Sequence, residues 1–261
     1  MTGGGRRAGL ALRLVSVLVG GFLVAPVFVV VPLGFTDKDS FEFPPSGWSL
    51  RYHVRFFTDP AWVEPLLTSL AVAVMVTLTA TATGTLAAFA ITRLCRGRAA
   101  LQGLLLAPMI VPNVVVALAI YAAFLSWGLV GTVEGLVLAH AVLALPFVVI
   151  TVGASLRTLD VRLERAAASL GASPFATFRR ITLPLIAPGV MSGAVFAFVT
   201  SFDEAVISLY LQSPHLRTLP VQMFTSVSSD VDPTIAAGST VILVVTTALI
   251  LLPDFVKRRT S

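Results

Sequence analysis

Glu164-Arg165-Ala166-Ala167-Ala168-Ser169-Leu170-Gly171, followed ten residues later by Ile181-Thr182-Leu183-Pro184, decides how this chain is read. The stretch lies in the longest polar, basic interruption of an otherwise apolar sequence. Leu156, Leu159, Leu163, Ala167 and Leu170 recur at helical spacing and predict one apolar helix face. Gly171 suits the end of that helix, because it takes positive φ without a Cβ clash. Ser173-Pro174 reads as an N-cap and first helical residue. Phe175, Phe178 and Ile181 then share a face of a second short helix. Arg179 and Arg180 close it and complement its dipole, and Pro184 ends it. Two short helices around a glycine stop make a rigid knob, suited to being pushed by something soluble. An ordinary basic connector, with its apolar face packed on its own spans, fits the same capping pattern.

Working outward, the composition places that knob at a membrane. Hydrophobic residues make up 56% and charged residues 12% of the 261, and mean hydropathy is +0.93. A soluble domain does not fit those values. A span needs roughly 20 mostly apolar residues. Six candidates appear, at about 12–34, 66–91, 101–125, 132–153, 185–208 and 236–256. The expectation is an all-α integral membrane protein with one domain over 1–261 and a cytoplasmic helix-loop-helix over 154–184. The first apolar run, Leu14 to Gly34, exceeds the ~7–15-residue core of a signal peptide and reads as a retained span.

Charge gives the orientation. With both termini inside, Arg6, Arg7, Arg13, Arg93, Arg96, Arg98, Arg157, Arg162, Arg165, Arg179, Arg180, Lys257, Arg258 and Arg259 face the cytoplasm. The outer side keeps Lys38, Arg51, Arg55 and Arg217. That asymmetry follows the positive-inside rule. It explains the net charge of +5 without nucleic acid, for which no basic patch interleaved with aromatics is present.

The loops and spans carry further expectations. Trp48, Tyr52, Phe56, Phe57 and Trp62 in the outer loop at 35–64 predict a short interfacial helix. A tight glycine-bearing turn at 126–131 predicts that spans three and four pair as a hairpin. Ala80, Gly84 and Ala88 form a small-xxx-small row that lets helices approach closely. Thr77, Thr81 and Thr85 make an adjoining stripe able to hydrogen-bond across helices. Pro108 and Pro112 free backbone carbonyls in span three, so Asn113 either lines a pathway or marks a structural kink. Asp203 and Glu204 lie in the outer part of span five, where carboxylates normally face a cavity or a partner. On a continuous helix Glu204 shares a face with Thr200, Ser201 and Ser208. The pair either lines the path and attracts a cation, or caps helix ends or meets Arg217.

Catalytic signatures are absent. His53, His140 and His215 have no metal-ligand spacing, the Gly-Ala-Ser tripeptides lack the glycine of a nucleophile elbow, and Cys95 stands alone. No G-x-x-x-x-G-K-[ST] phosphate loop occurs, so this chain is not itself an ATPase.

The knob resembles the coupling loop of binding-protein-dependent type I ABC importer permeases, whose pattern is Glu-Ala-Ala, three residues, Gly, nine residues, Ile-x-Leu-Pro. Ala166, Ala167, Gly171, Ile181, Leu183 and Pro184 fall in register. Arg165 occupies the motif's Glu position, with Glu164 one residue early. Ser201-Phe202-Asp203-Glu204, Thr218-Leu219-Pro220-Val221 and Asp232-Pro233-Thr234-Ile235-Ala236-Ala237 look like the C-terminal half of spermidine/putrescine-type permeases. Permeases for amino acids, opines, aminobutyrate or aminoethylphosphonate look similar in those segments.

The resemblance implies a six-span permease in a bacterial inner membrane with a second permease subunit, as a heterodimer. It also implies a cytoplasmic ATPase dimer that binds ATP and Mg, and an extracytoplasmic solute-binding protein. This chain would then carry no cofactor. Residues 164–167, 171, 181, 183 and 184 would couple to the ATPase, and Asn113, Thr200, Asp203 and Glu204 would line the path. A secondary transporter would show repeated broken helices, and no repeat is visible. An intramembrane protease would need a dyad, and adjacent acids point about 100° apart on a helix.

Overall fold

The computed structural model describes residues 3–93, 98–229 and 232–259. Cys95 and Arg96, named above, lie outside them. In chain order the helices are α1 (Gly3–Leu33), α2 (Arg51–Thr58), α3 (Pro60–Arg93), α4 (Arg98–Leu106), α5 (Asn113–Trp127) and α6 (Val133–Thr158). There follow α7 (Val161–Ser169), α8 (Pro174–Thr177), α9 (Leu183–Phe202), α10 (Val206–Leu211), α11 (Leu219–Ser229) and α12 (Thr234–Arg259). Among the described residues there is no strand, and the fold is all-helical.

Four helical stretches are long and apolar enough to cross a membrane: Leu12–Leu33, Pro60–Arg93, Val133–Thr158 and Pro174–Phe202. The third expected span is a bent pair, Ala99–Met109 and Asn113–Trp127, meeting at 98°. Pro112 is the cause. Its ring disfavours helical backbone at the preceding residue and offers no N–H, so the first helix stops and α5 restarts with Pro112 as N-cap (φ −55°, ψ 132°). The sixth expected span is α12, whose stretch Thr234–Ala248 is a shorter apolar helix.

The chain forms two compact units. One comprises residues 1–63 and 225–248. Here α2 forms where the aromatic loop predicts a short helix, but its aromatics divide. Tyr52, Phe56 and Trp62 are buried, while Trp48 and Phe57 remain exposed. A β-carbon at Gly238 would lie 2.7 Å from the Phe56 ring, so that glycine lets α12 close on α2. Arg55 bonds Asp59 at 3.2 Å and lies 3.6 Å from Asp232. Packing therefore consumes most of what the sequence reads as an interfacial belt.

The other unit, residues 64–224 and 249–261, holds the main core. Its centre is α6 against α9. Small residues let α9 and α3 approach α6: a β-carbon at Gly193 on α9 would lie 2.7 Å from Thr151 Oγ1, and one at Gly84 on α3 would lie 2.8 Å from Val148 Cβ. Ala80 and Ala88 flank Gly84 and are buried, as the small-residue row predicts. The turn after α5 is tight, with Gly128 and Gly131 at φ 68° and 75°. Yet α5 lies chiefly on α10, not on α6. Gly131 N–H donates to Leu211 carbonyl at 3.0 Å, and Tyr121 meets Tyr210 with ring centroids 6.3 Å apart. The tight turn is present, but the expected pairing of its two helices is replaced by that of α5 with α10.

Candidate functional site: the knob and the break after the fifth span

The knob begins where α6 stops. Leu159 and Asp160 are extended, and Asp160 Oδ1 accepts from Arg162 N–H at 2.9 Å, capping α7. That cap divides the continuous apolar face expected over Leu156–Leu170. Leu156 and Ala167 are buried, but Leu163 is 46% and Leu170 88% exposed. Gly171 ends α7 at φ 82°. Its N–H donates to Ala168 carbonyl and that of Ala172 to Ala167 carbonyl, both at 3.0 Å. Ser173 then caps α8, its Oγ accepting from Ala176 N–H at 3.2 Å.

The second helix does not end at Pro184. It runs through a wide π-type turn, Phe178–Thr182, straight into α9. Proline removes an N–H and crowds the carbonyl four residues back. A wider turn relieves that conflict without breaking the rod. Arg179 and Arg180 therefore lie inside a helix that continues to Phe202. Of the register residues, Ala167 is buried, Ile181 and Leu183 are half-buried, and Arg165, Ala166, Gly171 and Pro184 are exposed.

Glu164 turns inward. Thr182 Oγ1 donates to its Oε1 at 2.9 Å, and Arg93 Nη2 lies 3.3 Å from its Oε2. Near these residues a cavity of about 450 Å³ is lined by Thr77, Thr81, Thr85, Phe178, Leu183 and Val190, among others. The threonine stripe makes no interhelical bond. Thr77 donates to its own Ala73 carbonyl, and the buried Thr81 and Thr85 hydroxyls lack partners among the described residues.

The second expected cluster is broken rather than helical. Span five stops at Phe202, Asp203 follows it exposed, and α10 restarts at Val206. Glu204 makes the restart. Its Oε1 accepts from Val206 and Ile207 N–H, both at 3.0 Å, and its Oε2 from Ser208 N–H at 2.9 Å. A side chain that satisfies orphan amides competes with the helical ladder. The continuous helix expected to carry Thr200, Ser201, Glu204 and Ser208 on one face ends there, yet Ser208 still meets Glu204, its Oγ donating to the Glu204 carbonyl at 3.0 Å. Thr200 is half-buried and Asn113 exposed as the first residue of α5. No hydrogen bond or ion pair among the described residues joins either to Asp203 or Glu204. Arg217 donates instead to Gln222, at 2.9 Å.

His140 was missed as part of this cluster. It is 1% exposed on α6, with Nδ1 3.0 Å from Ser201 Oγ and Nε2 3.0 Å from Ser208 Oγ. Nε2 also lies 3.7 Å from Glu204 Oε2. The available signal was a histidine inside an apolar span, which needs internal partners. No group of acids, histidines or cysteines among the described residues could hold a metal.

The chain resembles several known proteins. The spermidine/putrescine transport system permease protein PotC of Haemophilus influenzae is 31% identical over 245 residues, covering 94% of this chain and 95% of its own. The putrescine transport system permease protein PotI of Escherichia coli K12 is 32% identical over 240 residues, covering 88% and 85%. A bacterial alginate ABC transporter, solved in complex with a pentasaccharide-bound periplasmic protein, has a chain of the same fold. Its TM-score is 0.75 at 18% identity, covering 98% of this chain and 96% of that one. The family described as binding-protein-dependent transport system inner membrane component matches residues 80–261. The chain is a multi-pass membrane permease of the type I ABC importer class and belongs to that family.

Proposed function

We propose that this permease forms half of the translocation path for a small polar, cationic solute such as a polyamine. It docks on a cytoplasmic ATPase through α7 and α8. The observation that carries the docking half is the capped knob between α6 and α9, with Leu170 and Phe175, 88% and 73% exposed, at its turn. Large apolar side chains left bare beside arginines fit a protein socket.

The polyamine half rests on the two relatives at about 30% identity and on Asp203. With Glu204 committed to α10, Asp203 is the carboxylate free to meet cargo. Thr200 and Asn113 are assigned to the same lining, and both termini to the cytoplasm. A second permease subunit completes the path, two ATPases bind ATP and Mg, and an extracytoplasmic binding protein delivers cargo. ATP closes the ATPase dimer, the knobs move together and the two permeases rock to open the path outward; hydrolysis resets them.

An amino acid, opine or aminophosphonate is the other cargo class, and a secondary transporter needs no ATPase at all. Co-purification of an ATPase with the tagged chain tests the class. Titration of the cognate binding protein with spermidine, putrescine, amino acids and aminoethylphosphonate tests the cargo. Micromolar binding confined to the zwitterions or phosphonates would overturn the polyamine reading.

A further inference from the structure

Helix α7 has a non-helical joint at each end. Leu159 and Asp160 are extended at one, and Gly171 to Ser173 turn the chain at the other. Backbone alone therefore transmits little of a push on α7 to the spans. A side-chain cluster instead ties α7 to α3 and to the turn before α9. Glu164 accepts from Thr182 Oγ1 at 2.9 Å and meets Arg93 at 3.3 Å. The Glu164 and Arg93 side chains are 17% and 18% exposed, and Thr182 is 1% exposed.

Arg93 ends α3, and Thr182 ends the wide turn that heads α9. One helical turn before Arg93, Phe89 packs edge-on against Phe178 with ring centroids 5.2 Å apart. The Arg93 contact is one of charge rather than an aligned hydrogen bond. Its Nε and Nη2 have no hydrogen-bond acceptor among the described residues, so the Glu164 carboxylate is the group that offsets this half-buried guanidinium. Wide turns of this type sit frequently at functional places in helices.

We propose that Arg93, Glu164 and Thr182 form a linkage that makes α7 and the inner ends of α3 and α9 move as one body. Glu164 is then a positioning residue for transmission, and the partner ATPase meets the outward side chains instead. This rests on the reading of α7 and α8 as the coupling element.

The test uses the complex of this chain with its second permease and ATPase, with Cys95→Ser and spin labels at Ala168 and Leu185. In the parent complex the label pair should keep one narrow distance with and without ATP-vanadate. Glu164→Gln and Arg93→Gln should each broaden it and cut stimulation of ATP hydrolysis by the cognate binding protein about fivefold or more, with the ATPase still co-purifying. The swap Arg93→Glu with Glu164→Arg should restore both readouts. An unchanged distance in both single variants overturns the linkage. So does loss of ATPase co-purification in Glu164→Gln, which would make Glu164 a docking residue. Phe175→Asp separates this from the underlying reading: if the ATPase stays bound there, the coupling assignment itself fails.

Discussion

Two inward-turned carboxylates, one buried and one half-buried, organise the two irregular regions of this permease, and they do so differently. Glu204 spends both oxygens within four residues of itself, on the amides of Val206, Ile207 and Ser208. Glu164 spends one oxygen on Thr182, 18 residues away, and the other near Arg93 on a different helix. The first fixes a break in one rod; the second ties three rods together. A local cap should govern whether the region forms at all. A tie between elements should govern how they move.

Glu204→Leu is expected to have the largest effect. It leaves three amides without their acceptor and removes the carboxylate beside His140. The expected cost is on the order of 3 kcal/mol, read as loss of folded complex in detergent thermal melts. Glu204→Gln keeps one acceptor oxygen and should recover much of that loss; equal damage from both would mean the charge, not the cap, matters.

Next is Gly171→Asp. A β-carbon at φ 82° costs roughly 1 kcal/mol, little for the fold, but it misaims α8. The protein should reach the membrane while ATPase binding weakens or hydrolysis uncouples from uptake. Wild-type uptake with normal ATPase stimulation would remove the knob from the coupling path.

Asp203→Asn follows. A surface carboxylate that attracts a cation contributes about 1 kcal/mol at most exposed sites, so uptake at low substrate should fall several-fold with assembly intact. Unchanged uptake kinetics would make both acids of the pair structural. The smallest effect is expected of Arg165→Glu, because Arg165 is exposed and its neighbour Glu164 already holds the inward contact. ATPase co-purification should change less than about twofold. Abolished assembly would mean that the partner presents an acid to Arg165.

Where signals were local, the sequence told the structure well. Gly171, Ser173 and Pro174 sit where their backbone preferences place them, and Leu12–Leu33 and Val133–Thr158 match the apolar runs closely. The Ala80-Gly84-Ala88 row was legible, yet Gly189-xxx-Gly193-xxx-Ala197 on α9 has the same form and faces α6 just as closely. Pro112 announced a disturbance, but the 98° bend depends on what the two half-helices pack against. The break at Asp203 was not legible. Hydrophobic periodicity counts side chains as inside or outside and has no place for one that folds back on its own backbone. The inward turn of Glu164 depends on Thr182 and Arg93, which no spacing rule relates.

The wide turn at Phe178–Thr182 carries a geometric consequence. A π-type turn holds one residue more than an α-helical turn, so the rod from Pro174 to Phe202 is clocked in two sections, offset by about 100°. Deleting a single residue from the turn would leave the rod continuous and swing everything before it, Phe175 included, a quarter-turn or more around the axis. The azimuth of the knob is thus set by residue count.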